Sequence, residues 1–170
     1  MIVSVMAMTT IREELKQKKP FTRKSEEAFV SLLRTAELAR RLIDGVIEAE
    51  GGITGQQYNV LRILRGAGEK GLPTLDIVDR LVEETPGITR LIDRLEAKEL
   101  VTRERCKTDR RQVFCRITRA GLSLLDKLDE PLAHAQDAAL ATLKKKDVAQ
   151  LLELLDRTRN GVYKTKESQS

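Results

Sequence analysis

The sequence predicts a mainly α-helical protein with a winged helix–turn–helix: two short helices followed by a two-stranded β-wing, with further helices on either side. Three observations predict this fold class. Apolar residues recur at threes and fours along most of the 170 residues, and two strand-like segments flank a basic turn. The chain is also 41% hydrophobic with only 3% aromatic residues and no Trp. Leu, Ile, Val and Ala must therefore form the core, which suits packed helices better than a sandwich of sheets.

The first long helix is predicted within residues 22–53, where Gly51 and Gly52 end it. Residues 1–21 before it are expected to be a disordered extension. Thr54 and Gln57 form a capping-box pattern, so the next helix begins there. Residues 66–71 match the letters of a dinucleotide-binding loop, but they follow a helix instead of a strand. This glycine-rich stretch is therefore interpreted as a flexible connector.

Two short helices are predicted next. Thr74 is expected to cap the first, which ends near Val82, and Thr85 to cap the second, with Pro86 in its first turn. The second helix spans residues 86–98 and alternates an apolar face with a polar one. The apolar face holds Ile88, Leu91, Ile92 and Leu95. The outward residues are Thr85, Gly87, Thr89, Arg90 and Arg94.

Residues 100–106 and 112–118 are predicted to be strands, joined by a basic turn at 107–111. Residues 101–120 hold seven basic and two acidic side chains, which accounts for the whole net charge of +5 and the pI of 9.3. Such a concentration favours a polyanionic partner, although a charge run can also be a solvated face.

Residues 119–162 are predicted to form the C-terminal helices, with the last helix near 145–160 and a flexible tail at 163–170. The last helix has a wide apolar face for a terminal surface helix. We expect a second copy of the chain to cover this face, because soluble monomers rarely expose large apolar patches. The predicted dimerisation residues of this helix are Leu151, Leu152 and Leu155.

A helix–turn–helix places its second helix in the major groove of double-stranded DNA, where Arg can read guanine through two acceptors. Gly87 would let the backbone approach the DNA. Asp109 would hold a neighbouring guanidinium in a fixed pose, although the alternative is a turn-forming Asp. The predicted wing contacts are Lys107, Asp109, Arg110 and Arg111.

Residues 85–98 (TPGITRLIDRLEAK) resemble the recognition helix of the multiple-antibiotic-resistance-regulator (MarR) family. The motifs VTR at 101–103, DRR at 109–111 and RITRAG at 116–121 follow at the family's spacing, and TGQQYNVL at 54–61 matches its second helix. The resemblance covers roughly residues 25–160. Each motif is weak alone, but their order and spacing together are specific.

The resemblance implies a two-fold dimer formed by the N- and C-terminal helices, two winged lobes and a palindromic operator. It makes Phe29 of the N-terminal helix a further dimerisation residue. It places family DNA contacts on Thr89, Arg90, Arg94, Arg103, Asp109 and Arg111. Family members often bind small aromatic or phenolic acids between the dimerisation helices and the lobe. Tyr58 is a candidate for that pocket, and the alternative is a Tyr that packs in the core. Two features depart from the pattern. Glu99 stands where the family usually has Gly, and residues 75–98 hold six acidic but four basic residues.

The sequence therefore predicts a dimeric transcriptional regulator, a repressor released by a small molecule. One alternative is a redox sensor switched through Cys106 and Cys115, and another is a ligand-binding dimer that does not bind DNA. An enzyme is not predicted, because the lone His134 has no acidic or Cys cluster around it. No cofactor, metal ion or membrane partner is predicted. Two cysteines and the lack of a signal-peptide or membrane-span pattern lead us to expect a cytoplasmic protein.

Overall fold

The computed structural model describes residues 9–82, 87–105 and 112–168, which form seven α-helices, one short 3-10 turn and three strands. The helices are α1 (Ile11–Glu14), α2 (Lys24–Gly51), α3 (Gly55–Ala67), α4 (Thr74–Val78), α5 (Ile88–Ala97), α6 (Arg119–Leu140) and α7 (Lys145–Glu167). The strands are β1 (Leu72–Pro73), β2 (Val101–Arg105) and β3 (Val113–Ile117). The predicted winged helix–turn–helix between flanking helices is confirmed.

Local signals place the boundary between α2 and α3 where the sequence predicted it. Gly52 closes α2 in the left-handed region, with φ 61°, where a residue without a Cβ carries no penalty. Thr54 Oγ1 then accepts a hydrogen bond from the Gln57 backbone N–H at 3.2 Å, while Gln57 Oε1 accepts one from the Thr54 N–H at 3.0 Å. The predicted capping box is therefore present at the start of α3.

The antiparallel sheet has three strands in the order β1-β3-β2, instead of the two that the sequence predicted. β2 and β3 pair from Val101 opposite Ile117 to Arg105 opposite Val113. The additional strand, β1, is only two residues long, and Leu72 lies opposite Cys115. The sequence did not predict β1, because two residues, one of them Pro, are too few to show the alternating pattern of a strand. Only its pairing with β3 makes it a strand.

The first helix of the lobe differs from its prediction at both ends. Thr74 is the first residue of α4 instead of its cap, and its hydroxyl donates to the backbone oxygen of Val113 at 3.3 Å. The helix ends at Val78 instead of near Val82. Beyond it, backbone hydrogen bonds between residues three apart continue as far as Leu81. Thr85 and Pro86 lie outside the described residues.

Both ends of the chain are more helical than predicted. Residues 1–21 were expected to be disordered, but α1 begins in a capping box between Thr10 and Glu13, and Glu14 pairs with Arg34 of α2 at 2.6 Å. Residues 1–8 lie outside the described part. At the other end, α7 continues through Gly161 to Glu167, where a flexible tail from residue 163 was predicted. A single Gly costs a helix only about 1 kcal/mol, so it does not have to end one.

The core is a single aliphatic cluster that runs from the winged lobe into the helices beside it. Ile47 of α2, Leu64 of α3, Leu95 of α5 and Leu128 of α6 are all buried within it, together with Val101 of β2. The composition-based prediction of an aliphatic core is confirmed. Because the apolar contacts continue across the lobe boundary, the lobe packs directly on α2 and α6.

Candidate nucleic-acid interface

Helix α5 has an apolar face that packs into the core and an exposed polar face, which we call the free face. Leu91, Ile92 and Leu95 are buried, whereas the predicted contact residues Thr89, Arg90 and Arg94 are exposed on the other side. The spacing of the three buried residues places them on one side of the helix. The structure thus brings the helical residues of the predicted interface together on one accessible face.

Arg90 and Arg94 lie one helical turn apart on this free face. Among the described residues, neither guanidinium takes part in a hydrogen bond or an ion pair. Each therefore keeps its five N–H donors available for an acceptor outside the chain. An unpaired Arg on an exposed helix face is well suited to the two acceptors of a guanine edge or to phosphate oxygens.

Gly87 precedes α5 with φ 84°, a backbone conformation that favours glycine. An added Cβ would meet no atom within 4 Å, so space inside the chain does not require a glycine there. From the sequence, this glycine is predicted to let the backbone approach DNA closely. The structure supplies a second reason, namely the left-handed turn that starts the helix.

Arg103 of β2, predicted as a wing contact with DNA, contacts two carboxylates of α5. Its Nη1 lies 2.7 Å from Asp93 Oδ1, its Nε donates to Glu96 Oε2 at 2.8 Å, and its Nη2 also contacts that oxygen. The hydrogen bond to Glu96, with further help from Asp93, raises the pKa of Arg103 above its ordinary value. Arg103 therefore places one positive charge against two of the six acidic residues of the segment 75–98.

Arg116 of β3 also makes contacts within the chain. From the sequence it is one of the basic residues of 101–120, with no role of its own predicted. Its Nη1 pairs with Glu104 Oε2 on β2 at 2.7 Å, and its Nε donates to the backbone oxygen of Glu69 at 3.1 Å. The side chain thus joins both wing strands to the turn before β1. The only sequence signal for this contact was the opposite charge of two residues on adjacent strands.

The tip of the wing lies outside the described residues. This applies to Lys107, Asp109, Arg110 and Arg111, and Thr85 before α5 is also outside. Their roles in DNA binding stay predictions from the sequence.

The turn from α5 into β2 contains a residue in an unfavourable conformation. Glu99 has φ 57°, which lies in the left-handed region that favours glycine. The family that the sequence resembles usually has glycine at this position. The Leu100 N–H donates to Leu95 O at 3.0 Å, and the Thr118 hydroxyl donates to Glu99 O at 2.8 Å. These hydrogen bonds hold the turn in place despite the Cβ at position 99.

A cavity of about 370 Å³ lies between α2, α3 and residues 81–82, which follow α4. Tyr58, the predicted effector contact, lines it and is half-buried. Burial raises the pKa of the Tyr58 phenol above its ordinary value, so the group is neutral at pH 7. Arg62 lies 5.9 Å from the centre of the Tyr58 ring. Sequence reasoning missed the other lining residues, among them Arg40, Ile43, Asn59 and Arg62, because three separate segments supply them.

Two helices carry large apolar side chains without cover in the monomer. Phe29 and Leu33 of α2 are 55% and 58% exposed, and Leu152 of α7 is 61% exposed. Helix α7 has no buried residue along its 23-residue length. Of the other predicted dimerisation residues, Leu151 is exposed and Leu155 is partly exposed.

Cys115 is fully buried on β3, and its Sγ lies 3.7 Å from the Thr74 hydroxyl. Burial raises the pKa of this thiol, which disfavours the reactive thiolate. The second cysteine of the redox alternative, Cys106, lies outside the described residues. The environment of Cys115 favours a role as a small side chain in the core.

No helix within residues 9–82, 87–105 and 112–168 is both long enough and apolar enough to span a membrane.

A sequence model of the MarR family matches residues 51–112. The HTH-type transcriptional regulator MhqR of Bacillus subtilis (strain 168) is 30% identical over 136 residues, which cover 80% of this chain and 92% of MhqR. A MarR transcription factor of known structure from Planctomyces limnophilus is 36% identical, with a TM-score of 0.63 over 81% of this chain and 98% of its own.

Two structures from Streptomyces coelicolor share the fold at lower sequence identity. Sco3205, a MarR family transcriptional regulator in complex with DNA, has a TM-score of 0.72 and 22% identity over 85% of this chain and 92% of its own. The PcaV transcriptional regulator in complex with its natural ligand has a TM-score of 0.71 and 22% identity over 85% of this chain and 99% of its own. At this identity, both show likeness of fold alone.

Proposed function

The chain belongs to the MarR family of transcriptional regulators, and from that premise we propose that it is a homodimeric repressor of a palindromic operator, released by a small molecule. The observation that carries the proposal is the free face of α5. Arg90 and Arg94 project from this face without partners among the described residues, while three apolar residues anchor the opposite side. That arrangement suits a recognition helix in the major groove.

Base reading would come from α5, and phosphate attraction from the wing. Thr89, Arg90 and Arg94 are assigned to the major groove, with Gly87 supporting the turn at the start of the helix. We assign Lys107, Arg110 and Arg111 to the adjacent phosphates and minor groove, with Asp109 orienting an Arg there. Arg103 is assigned to support α5, because both of its carboxylate partners lie on that helix.

We assign dimerisation to residues 22–53 and 119–162, and DNA binding to the lobe of residues 54–118. The uncovered apolar side chains on α2 and α7, represented by Phe29 and Leu152, support this assignment. Burying an exposed Leu or Phe side chain is worth about 1.5–3 kcal/mol, so several such residues can support a stable dimer. A two-fold dimer would present its two recognition helices to two half-sites related by the same symmetry.

The effector would bind in the cavity between α2 and α3. A small aromatic or phenolic molecule fits its chemistry, because Ile43 and Ile47 supply apolar surface and the neutral Tyr58 phenol and Arg62 supply polar groups. The cavity lies between a proposed dimerisation helix and the DNA-binding lobe. A ligand there would therefore contact both parts and would favour one arrangement of them over another.

Footprinting of the purified protein on the DNA that flanks its own coding region tests the proposal. We expect protection of two inverted half-sites one helical turn or a multiple of it apart, and sedimentation as a dimer at micromolar concentration. Equal affinity for the flanking DNA and for random DNA would contradict the proposal. It would favour the ligand-binding dimer that does not read DNA.

A further inference from the structure

Arg65 and Lys98 each join the winged lobe (residues 54–118) to the flanking helices through a polar contact. Arg65 pairs with Asp129 of α6, and Lys98 donates to the backbone oxygen of Gly52 at the end of α2. At a separate point of the boundary, Asp44 of α2 lies close to Gly55 of α3. Between these points the apolar core cluster continues across the boundary. Apolar packing holds surfaces together without preferring one direction, whereas hydrogen bonds and ion pairs depend on geometry.

The contact between Arg65 and Asp129 ties the last turn of α3 to α6. Arg65 Nη1 donates to Asp129 Oδ2 at 2.8 Å, and Nη2 donates to Asp129 Oδ1 at 3.0 Å. The hydrogen bonds from Arg65 lower the pKa of Asp129 below its ordinary value, so this carboxylate stays charged. Two parallel bonds between planar groups restrict rotation as well as distance.

The other end of α3 meets α2. A Cβ added at Gly55 would lie 1.9 Å from Asp44 Oδ1, so the missing side chain allows the carboxylate to approach the first turn of α3. A negative charge there also suits the positive end of the helix. Gly55 and Arg65 are separated by ten residues, or about 15 Å along the helix. Helix α3 thus lies close to α2 at its first turn and is ion-paired with α6 at its last turn.

The second polar contact starts from the recognition helix itself. Lys98 is the C-cap of α5, and its Nζ donates to the backbone oxygen of Gly52, the C-cap of α2, at 3.2 Å. Lys127 of α6 makes a similar contact, because its Nζ donates to Glu50 O at 2.6 Å. The difference is that Lys127 joins two flanking helices, whereas Lys98 crosses the boundary into the lobe.

We propose that Arg65 and Lys98 are positioning residues that set the orientation of the winged lobe, and with it the half-site spacing that the dimer accepts. The inference rests on the proposed homodimer and palindromic operator. Arg65 fixes the helix that supports the lobe, and Lys98 fixes the end of the recognition helix. A lobe that has lost either contact can tilt on the apolar surface beneath it, so its recognition helix can reach half-sites at other separations.

The test measures affinity for DNA of altered half-site spacing by fluorescence anisotropy. Duplexes carry the two footprinted half-sites at the natural spacing, or with one or two base pairs added or removed. Each base pair moves one half-site by about 3.4 Å and rotates it by about 35° relative to the other. A duplex with a single half-site measures how well one lobe binds its bases, because half-site spacing plays no part in that binding. The variants are Arg65→Gln and Lys98→Met, with Lys127→Met as the matched control.

We expect altered spacing to weaken wild-type binding on the order of tenfold, comparable with one wrong base pair. In Arg65→Gln and Lys98→Met that penalty should shrink to about threefold, while affinity for the single half-site stays the same. Lys127→Met should retain the wild-type penalty. So should Lys98→Arg, which keeps the donor, and the exchanged pair Arg65→Asp with Asp129→Arg.

An unchanged spacing penalty in both variants would overturn the inference and leave the proposed function intact. Equal weakening on the single half-site would also overturn it, because the residues would then act within the lobe or on DNA. The same relaxation in Lys127→Met would overturn it as well. A wild type that binds two half-sites no better than random DNA would contradict the proposed function, and the inference with it.

Discussion

Arg103 on the wing strand β2 contacts Glu96 on the recognition helix α5, and the same guanidinium reaches Asp93 one turn earlier. Two carboxylates thus hold one arginine at the junction of the two elements assigned to DNA. The contact directs a basic side chain of the wing towards the protein. It indicates that some of the positive charge in residues 101–120 supports the shape of the interface.

Arg103→Gln should weaken DNA binding without removing a phosphate contact. We expect it to lower the free energy of unfolding by about 0.5–1 kcal/mol, the upper range for partly exposed ion pairs. Affinity should fall, but the slope of log K against log salt should stay at its wild-type value, because no counterion is released at this residue. Anisotropy over a salt series measures both quantities. A slope reduced by about one unit would show that Arg103 binds phosphate directly, as first predicted.

Arg90→Ala and Arg94→Ala should affect base preference. An Arg with two bonds to guanine contributes about 1–3 kcal/mol of discrimination, so the variant that removes such a contact should lose that preference at one position in each half-site. Affinity for every single-base substitution of the footprinted operator measures the effect. Arg119→Ala, which changes a basic residue at the start of α6, is the control. Uniform weakening over all operator variants would instead indicate phosphate contacts.

Glu99→Gly should stabilise the protein. Glu99 has φ 57°, and the left-handed conformation costs a residue with a Cβ about 1–2 kcal/mol. Part of this gain is lost because glycine makes the unfolded chain more flexible, which leaves about 0.5–1 kcal/mol. Thermal unfolding should show a rise in Tm of about 1–4 °C. Glu99→Ala removes the carboxylate and keeps the Cβ, so it should give no comparable rise, and an equal rise would attribute the effect to charge.

Cys115 should resist alkylation in the folded protein. Its thiol is buried and its pKa is raised by that burial, so both access and thiolate formation are reduced. Mass spectrometry after iodoacetamide treatment should show modification of Cys115 only with denaturant, and Cys106→Ser removes the second thiol from the measurement. Modification at a rate similar to that of a free thiol, together with release of DNA by mild peroxide, would favour the redox alternative.

The same pKa shift gives a stability prediction with a definite sign. The folded state holds its thiol proton at pH values where the unfolded chain releases it, since an unperturbed Cys has a pKa of about 8.5. The contribution is therefore present below that pH and is lost as the pH rises towards the folded pKa. Denaturant unfolding gives the free energy of unfolding at pH 7 and at pH 9.5. Between these pH values it should decrease less in the double variant Cys106→Ser with Cys115→Ser than in Cys106→Ser alone.

Patterns that depend on neighbouring residues were predicted well. The capping box of Thr54 and Gln57 is present, and the face of Leu91, Ile92 and Leu95 is buried as its spacing predicted. A cap and a helical face are defined within a few residues, so the sequence contains nearly all the information they require. The aliphatic core follows for a similar reason, because the composition offers almost no aromatic side chains to build it.

Contacts between distant segments were decided by the tertiary structure. Strand β1 exists because Leu72 comes to lie beside Cys115, and the partners of Arg103 became available only when β2 folded back along α5. Helix α1 begins in a local capping box at Thr10 that the sequence prediction missed, and only its ion pair from Glu14 to Arg34 of α2 depends on the fold. By itself, the sequence determined the winged helix–turn–helix and the residues on the free face of its second helix. Only the tertiary structure decided which basic side chains face outward, since an ion pair forms wherever folding brings opposite charges within reach.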